Sequence, residues 1–301
     1  MPTLFDILES HKKNKRDKRK FGLVIQGGGM RGVYSCGALT TLAEYGFSDT
    51  FDHVIGASAG AMNAVYFISN YKQPTQIYSK GATNDNFVNL MRRDKRVDID
   101  YIIDTVLKEK WPINLPALKK AHTELHVIVT NASDGRKEVI SDHKDFAEIY
   151  EELRASAALP LVYDKKVKLG DKYYVDGAVA DSVPVDVALD LGCTDIVVVL
   201  TKQLSAFQFD QHHTRLVKHL VRRLARNQSA AVRRKLPTDE LLLKVNLRTI
   251  RHPLKKTRIY VLEPSNEEID VSLATIDKPK IKNFAKLGIK DMDKMLHKPI
   301  D

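Results

Sequence analysis

Cysteine is scarce: Cys36 and Cys193 are the only two in 301 residues. That excludes a disulfide framework. No CxxC or Cys/His spacing outlines a zinc site, so no metal is expected. A reducing, cytoplasmic setting follows. Long apolar runs are absent too. Ile196–Leu200 is a representative uninterrupted run, far below the about 20 residues of a membrane-spanning helix. The opening MPTLFDILESHKKNKRDKRK holds no apolar stretch of signal-peptide length. The expectation is a soluble protein, cytoplasmic or peripheral at the inner face of a membrane. Acidic charge also falls short: 38 Asp+Glu against 48 Lys+Arg leave a formal net charge of +10. Such an excess suits anionic partners, membrane surfaces or nucleic acid, and says little about fold.

What is present reads as a globular protein, with 43% hydrophobic and 29% charged residues. The length suffices for one large domain or two modest ones. Strand-like runs occur at 21–26 (FGLVIQ), 51–55 (FDHVI), 125–130 (LHVIVT), 195–201 (DIVVVLT) and 258–262 (RIYVL). Helical patterns fall between them at about 30–45, 60–70, 145–157 and 184–191. Short Val/Ile-rich runs separated by helices predict an α/β fold, a mostly parallel central sheet with helices on both faces. KEVISD and VKLGDKYYVDG read as hairpin strands. The expected division is a basic N-terminal arm over 1–20, one α/β domain over 21–265 and a C-terminal helical tail over 266–301. The run HKKNKRDKRK within the arm reads as solvated.

The stretch VIQGGGMRGVYSCGAL, residues 24–39, places a glycine turn between a strand and a helix. Backbone N–H groups at such a turn hold negative charge, either a nucleotide phosphate or a reaction oxyanion. Gly27, Gly29 and Gly32 fit the dinucleotide spacing G-x-G-x-x-G, and Asp49 or Asp52 lies about 20 residues on. The segment GASAG, residues 56–60, favours the oxyanion. G-x-S-x-G between strand and helix is a nucleophile elbow, where only small residues fit beside the turn. Gly56, Gly60 and the alanines suit it, and Ser58 becomes the candidate nucleophile.

Serine needs a base. His212, His213 and His219 sit in a basic helical pattern, and His252 and His297 in polar, lysine-rich surroundings. None has a local context suited to catalysis. VDGAVADSVP, residues 175–184, does: Asp176 follows a strand-like segment and precedes Gly177 at a turn. A carboxylate there takes the serine proton directly if burial keeps its pKa high.

GGGMRG, GASAG, ASAALP and DGA, in that order between residue 24 and about 184, resemble the blocks of the patatin-like phospholipases. The resemblance covers a little over half the chain. It implies a fold related to the α/β hydrolases, a Ser58–Asp176 dyad without histidine, lipid acyl esters as substrates, and no cofactor. In that reading the N–H groups of Gly28, Gly29 and Met30 form the oxyanion hole. Arg31 either adds positive potential there or makes a surface salt bridge.

Other features have ordinary readings. Ser156 and Pro160 shape a helix end, and Cys36 belongs to the core. Trp111 is a packed loop residue or an interfacial one. Residues 212–235 carry eight Lys/Arg and no acid, with Leu216, Val217, Leu220, Val221 and Leu224 at helical spacing. The apolar stripe packs on the domain, or the helix lies on an anionic membrane. Nucleic acid is disfavoured because no aromatic residue interleaves the charges. A silent, binding-only module is the functional alternative. The joint presence of Ser58, Asp176 and the loop glycines argues against it.

Overall fold

The computed structural model describes every residue except 15–17, 93, 144–147, 207–224, 237–239, 255, 267–268, 270 and 301. Its first half runs α1 (Leu4–Lys13), β1 (Phe21–Ile25), α2 (Gly32–Glu44), β2 (His53–Ala57) and α3 (Ala59–Ile68). Two π-helical segments (Ile77–Ala82 and Tyr101–Lys110), α4 (Leu115–Lys120), β3 (Glu124–Asn131) and β4 (Lys137–Ile140) follow. Then come α5 (Ile149–Ala157), β5 (Val167–Leu169), β6 (Lys172–Asp176), α6 (Val185–Asp190) and β7 (Asp195–Val199). The chain closes with α7 (Ala230–Lys235), α8 (Glu240–Arg251), β8 (Arg258–Leu262) and α9 (Lys278–His297).

The strands form one eight-stranded sheet in the order β5-β6-β3-β2-β1-β7-β8, with β4 also on β3. β8, β7, β1, β2 and β3 are mutually parallel; β4, β6 and β5 add antiparallel pairs. Every residue of β1, β2 and β7 is buried. Leu23, Val54, Val127 and Val197 join a core with α2, α3, α5 and α9, while Val24, Ile55, Ile128 and Val198 join one with α6 and α8. Side chains alternate along a strand, so a sheet covered on both faces needs apolar residues at every position. The expected α/β architecture is the observed one.

The N-terminus differs from expectation. Residues 4–13 of the predicted basic arm form a helix opened by a Thr3–Asp6 capping box. Leu4, Ile7 and Leu8 share one helical face and are buried in the main core. The charges that follow mask this short apolar stripe in the sequence. The C-terminal segment is helical as expected and is packed on the domain: Ile281, Phe284 and Met292 of α9 are buried, and Asp291 accepts a hydrogen bond from Tyr34 of α2 at 3.0 Å. Residues 212–224 of the basic segment, with the predicted apolar stripe, lie outside the described residues. Of its remainder, Val232 is buried and Arg226 exposed. No described helix is long and apolar enough to cross a membrane.

One pairing detail positions the site. Ile128 of β3 pairs with Ala57 of β2 and with Val139 of β4, so β2 and β4 flank opposite edges of β3. Val129 pairs with Glu138 of β4 and with Asp176 of β6, so β6 shares the edge of β2. β2 stops at Ala57 and β6 takes over one residue later. The residue after β2 and the last residue of β6 must therefore meet.

Candidate active site

Ser58 is the residue after β2. Its backbone, at φ 56° and ψ −127°, lies in a region that side-chain-bearing residues rarely adopt. A Cβ on Gly56 would stand 2.6 Å from the Gly60 carbonyl carbon, and one on Gly60 would strike the Ile25 carbonyl oxygen. The glycines are thus required by the turn that strains the serine. The Ser58 hydroxyl donates to Asp176 Oδ2 at 2.9 Å. The expected pair is brought together.

Asp176 is held from several sides. Its Oδ1 accepts from the Ala178 N–H at 2.8 Å, and its backbone N–H donates to Ala158 O at 3.0 Å. Thr130 Oγ1 donates to its carbonyl at 2.7 Å. Complete burial pushes its pKa up to about 7, opposed by the Ala178 and Ser58 hydrogen bonds, which favour the carboxylate. Asp181, from the same sequence segment, is engaged elsewhere, with Lys137 at 2.9 Å and Asn246 at 3.2 Å. Gly177 packs on the Ile128 carbonyl. A hydroxyl bonded to a carboxylate that stays basic near neutrality can be deprotonated without an imidazole. Among the described residues, no histidine lines the surrounding cavity.

Ser156 does more than the helix-end role read from sequence. Its Oγ accepts from the Ser58 N–H at 2.9 Å and donates to Ile128 O at 2.7 Å. It therefore fixes the backbone of the elbow to β3. Its place in the ASAALP block was the available sequence signal.

The glycine loop lies beside the dyad; a Cβ on Gly27 would be 3.0 Å from Ser58 Cβ. Gly28 has φ 150° and Gly29 φ 54°. Among the described residues their N–H groups have no hydrogen-bond partner. Met30 departs from the predicted trio: its N–H donates to Leu273 O at 3.1 Å, so that donor is occupied. Gly32 opens α2, and its carbonyl accepts from Asn63 at 2.8 Å. Arg31 lines the same cavity as Lys202, whose pKa is lowered by burial first and by the Arg31 charge second.

That cavity has a volume of about 520 Å³. Ser58, Asp176 and Gly27–Arg31 line one part, and Met62, Tyr66, Ile77, Phe87, Ile99 and Leu107 form an apolar wall. Much of that wall comes from the π-helical stretches and the loop between them. Trp111, through its carbonyl, accepts from the Tyr66 hydroxyl and packs on the core, which supports its reading as a packed loop residue. Cys36 is buried, and burial raises its thiol pKa.

The dinucleotide reading fails on position. Asp49 accepts from the His122 and Thr123 amides, and Asp52 from the Phe21 amide at 2.6 Å. Phe21 begins β1, so these acids stand at the end of the sheet away from the glycine loop. The described residues suited to hold a metal, His53, Glu124 and His126, also lie at that far end.

A family model described as patatin-like phospholipase matches residues 23–189, more than half of the chain. The chain belongs to the patatin-like phospholipase family. Among its curated relatives, the uncharacterized protein YjjU of Escherichia coli (strain K12) is 25% identical over 211 residues, 67% of this chain and 57% of that protein. The 1-acylglycerol-3-phosphate O-acyltransferase Pnpla3 of Mus musculus is 27% identical, over 56% of this chain and 41% of its own length. Probable lipid hydrolase 463L of Invertebrate iridescent virus 6 is 27% identical, over 56% of this chain and 62% of its own. The patatin-like chain thus spans about half the length of the curated relatives it matches.

Proposed function

We propose that this patatin-like protein is a serine acyl hydrolase cleaving carboxylic esters of lipids. The Ser58 hydroxyl bonded to Asp176 at 2.9 Å, beside an apolar cavity, carries the reading. Asp176 takes the Ser58 proton as Oγ attacks the ester carbonyl. The Gly28 and Gly29 N–H groups receive the oxyanion, a charge that develops only on the way to the tetrahedral intermediate. Collapse expels the alcohol, which leaves with the proton held by Asp176. Water, deprotonated by Asp176, then attacks the acyl-enzyme and releases the fatty acid. The apolar wall receives the acyl chain. None of these steps uses a cofactor.

A fluorophosphonate probe tests the core of this reading, since it reports an activated serine independently of the natural substrate. Wild-type protein should be labelled covalently, and folded Ser58→Ala protein should not. Folded wild-type protein that resists the probe would show a binding-only module. The basic composition of 212–235 further supports landing on an anionic bilayer, where each basic residue near the surface contributes about 1 kcal/mol before screening. Changing Arg222, Arg223 and Arg226 to Glu should reduce sedimentation with phosphatidylglycerol liposomes and leave hydrolysis of a soluble ester intact. Wild-type protein that ignores such liposomes at low salt would remove the membrane role.

A further inference from the structure

We propose that His53, Glu124 and His126 bind one divalent transition-metal ion of the zinc class, at the end of the sheet away from Ser58. His53 is the first residue of β2 and pairs in register with Glu124, the first of β3. His126 is two residues further along β3, so it projects on the same face as Glu124. His53 Nδ1 stands 3.0 Å from His126 Nε2 and 3.2 Å from Glu124 Oε2. The third separation, His126 Nε2 to Glu124 Oε2, is 3.8 Å.

Those spacings suit a metal. Zinc bonds of about 2.0–2.1 Å at tetrahedral angles hold ligand atoms roughly 3.3 Å apart, and the three observed separations bracket that value. Without an ion the triangle is poorly satisfied. At 3.0 Å only one of the two facing ring nitrogens can carry a proton. That single N–H must then serve both an imidazole lone pair and a carboxylate oxygen. An ion accepts lone pairs from all three atoms.

The surroundings agree. Both histidine side chains are buried, whereas the Glu124 side chain is 66% exposed, which leaves a side open to solvent for a water as fourth ligand. The set joins a chain-distant pair of strand ends, which is why cysteine and histidine spacing in the sequence gave no sign of it. A bound ion would cross-link the starts of β2 and β3, the two strands whose far ends flank the dyad.

The test uses full-length protein with any affinity tag removed, stripped with EDTA, reloaded with zinc chloride and desalted. Elemental analysis should find about one zinc per chain, as a three-ligand site with water implies. His126→Gln and His53→Gln should each lower zinc affinity at least about tenfold. Glu124→Gln alters only an exposed side chain, so it keeps the fold and should weaken zinc by a similar factor even if a histidine variant misfolds. Cobalt in place of zinc should give the visible absorption of a tetrahedral site, lost in His126→Gln. Zinc should raise the melting temperature of wild-type protein and not of Glu124→Gln. Wild-type protein that retains no zinc, or folded Glu124→Gln protein that retains it as tightly as wild type, overturns the proposal.

Discussion

Folded Ser58→Ala protein is expected to lose at least about 10⁴-fold in kcat/KM on a p-nitrophenyl ester, the scale seen when members of a catalytic unit are removed. Asp176→Asn should lose a similar factor, because asparagine can hold the serine hydroxyl but cannot take its proton. The double variant should be little worse than either single one, since the first loss already disables the unit. Replacing histidines one at a time should leave turnover. Substantial turnover by Ser58→Ala, or a folded histidine variant equally dead, would refute the dyad. The pH profile carries the same signature. Asp176 works as a base only when ionised, so kcat/KM should rise with pH through an apparent pKa near 7. Stability should run the other way. The folded-state pKa is raised above the ordinary 3.8, to about 7, so the folded protein holds a proton that the unfolded chain has released. Stability from this group is full below pH 3.8 and is lost as pH rises through 7. At pH 8, Asp176→Asn should therefore melt higher than wild type while being inactive.

Gly29→Ala should lower kcat by roughly 10²–10³-fold with a much smaller change in KM, the cost of removing an oxyanion-hole donor. Gly29 sits at φ 54°, and a Cβ there would be 2.5 Å from the Leu273 carbonyl oxygen, so the loop must move. Gly28→Ala meets Thr201 Oγ1 at 2.9 Å from an equally restricted φ of 150° and should behave alike. In the proposed mechanism the two N–H groups receive charge that develops only during the reaction, so ground-state binding should survive. Circular dichroism would separate loop displacement from global unfolding. A rise in KM with kcat preserved would mean that the loop binds substrate and does not stabilise the transition state.

The parts legible in the sequence were those whose causes are local. β1, β2, β3 and β7 are largely aliphatic runs because both faces are covered, and such runs stand out without any partner information. The elbow was readable because Gly56 is dictated by contacts within a few residues of Ser58, although Gly60 answers to the Ile25 carbonyl at the end of β1. Causes that act across the chain stayed hidden. Met30 lost its predicted role to a carbonyl at Leu273, and Ser156 gained one from the Ser58 amide. The apolar cavity wall draws on Ile77, Phe87 and Ile99, in a stretch where no periodic signal defined an element. In α1, a face of three residues, Leu4, Ile7 and Leu8, was outweighed by the lysines behind it.

β1 lies between β2 and β7, and it is the strand that delivers the glycine loop. The region matched by the family model stops at residue 189, before β7 begins. A fragment cut at that boundary would bare one whole side of β1, leaving its N–H and C=O groups ready to recruit another chain. It would also discard the Leu273 carbonyl that anchors Met30. The region that the family model recognises is thus smaller than the sheet that encloses β1. A chimera that transplants the catalytic half into a relative must bring a seventh strand and a Leu273-like anchor, or find equivalents in its host.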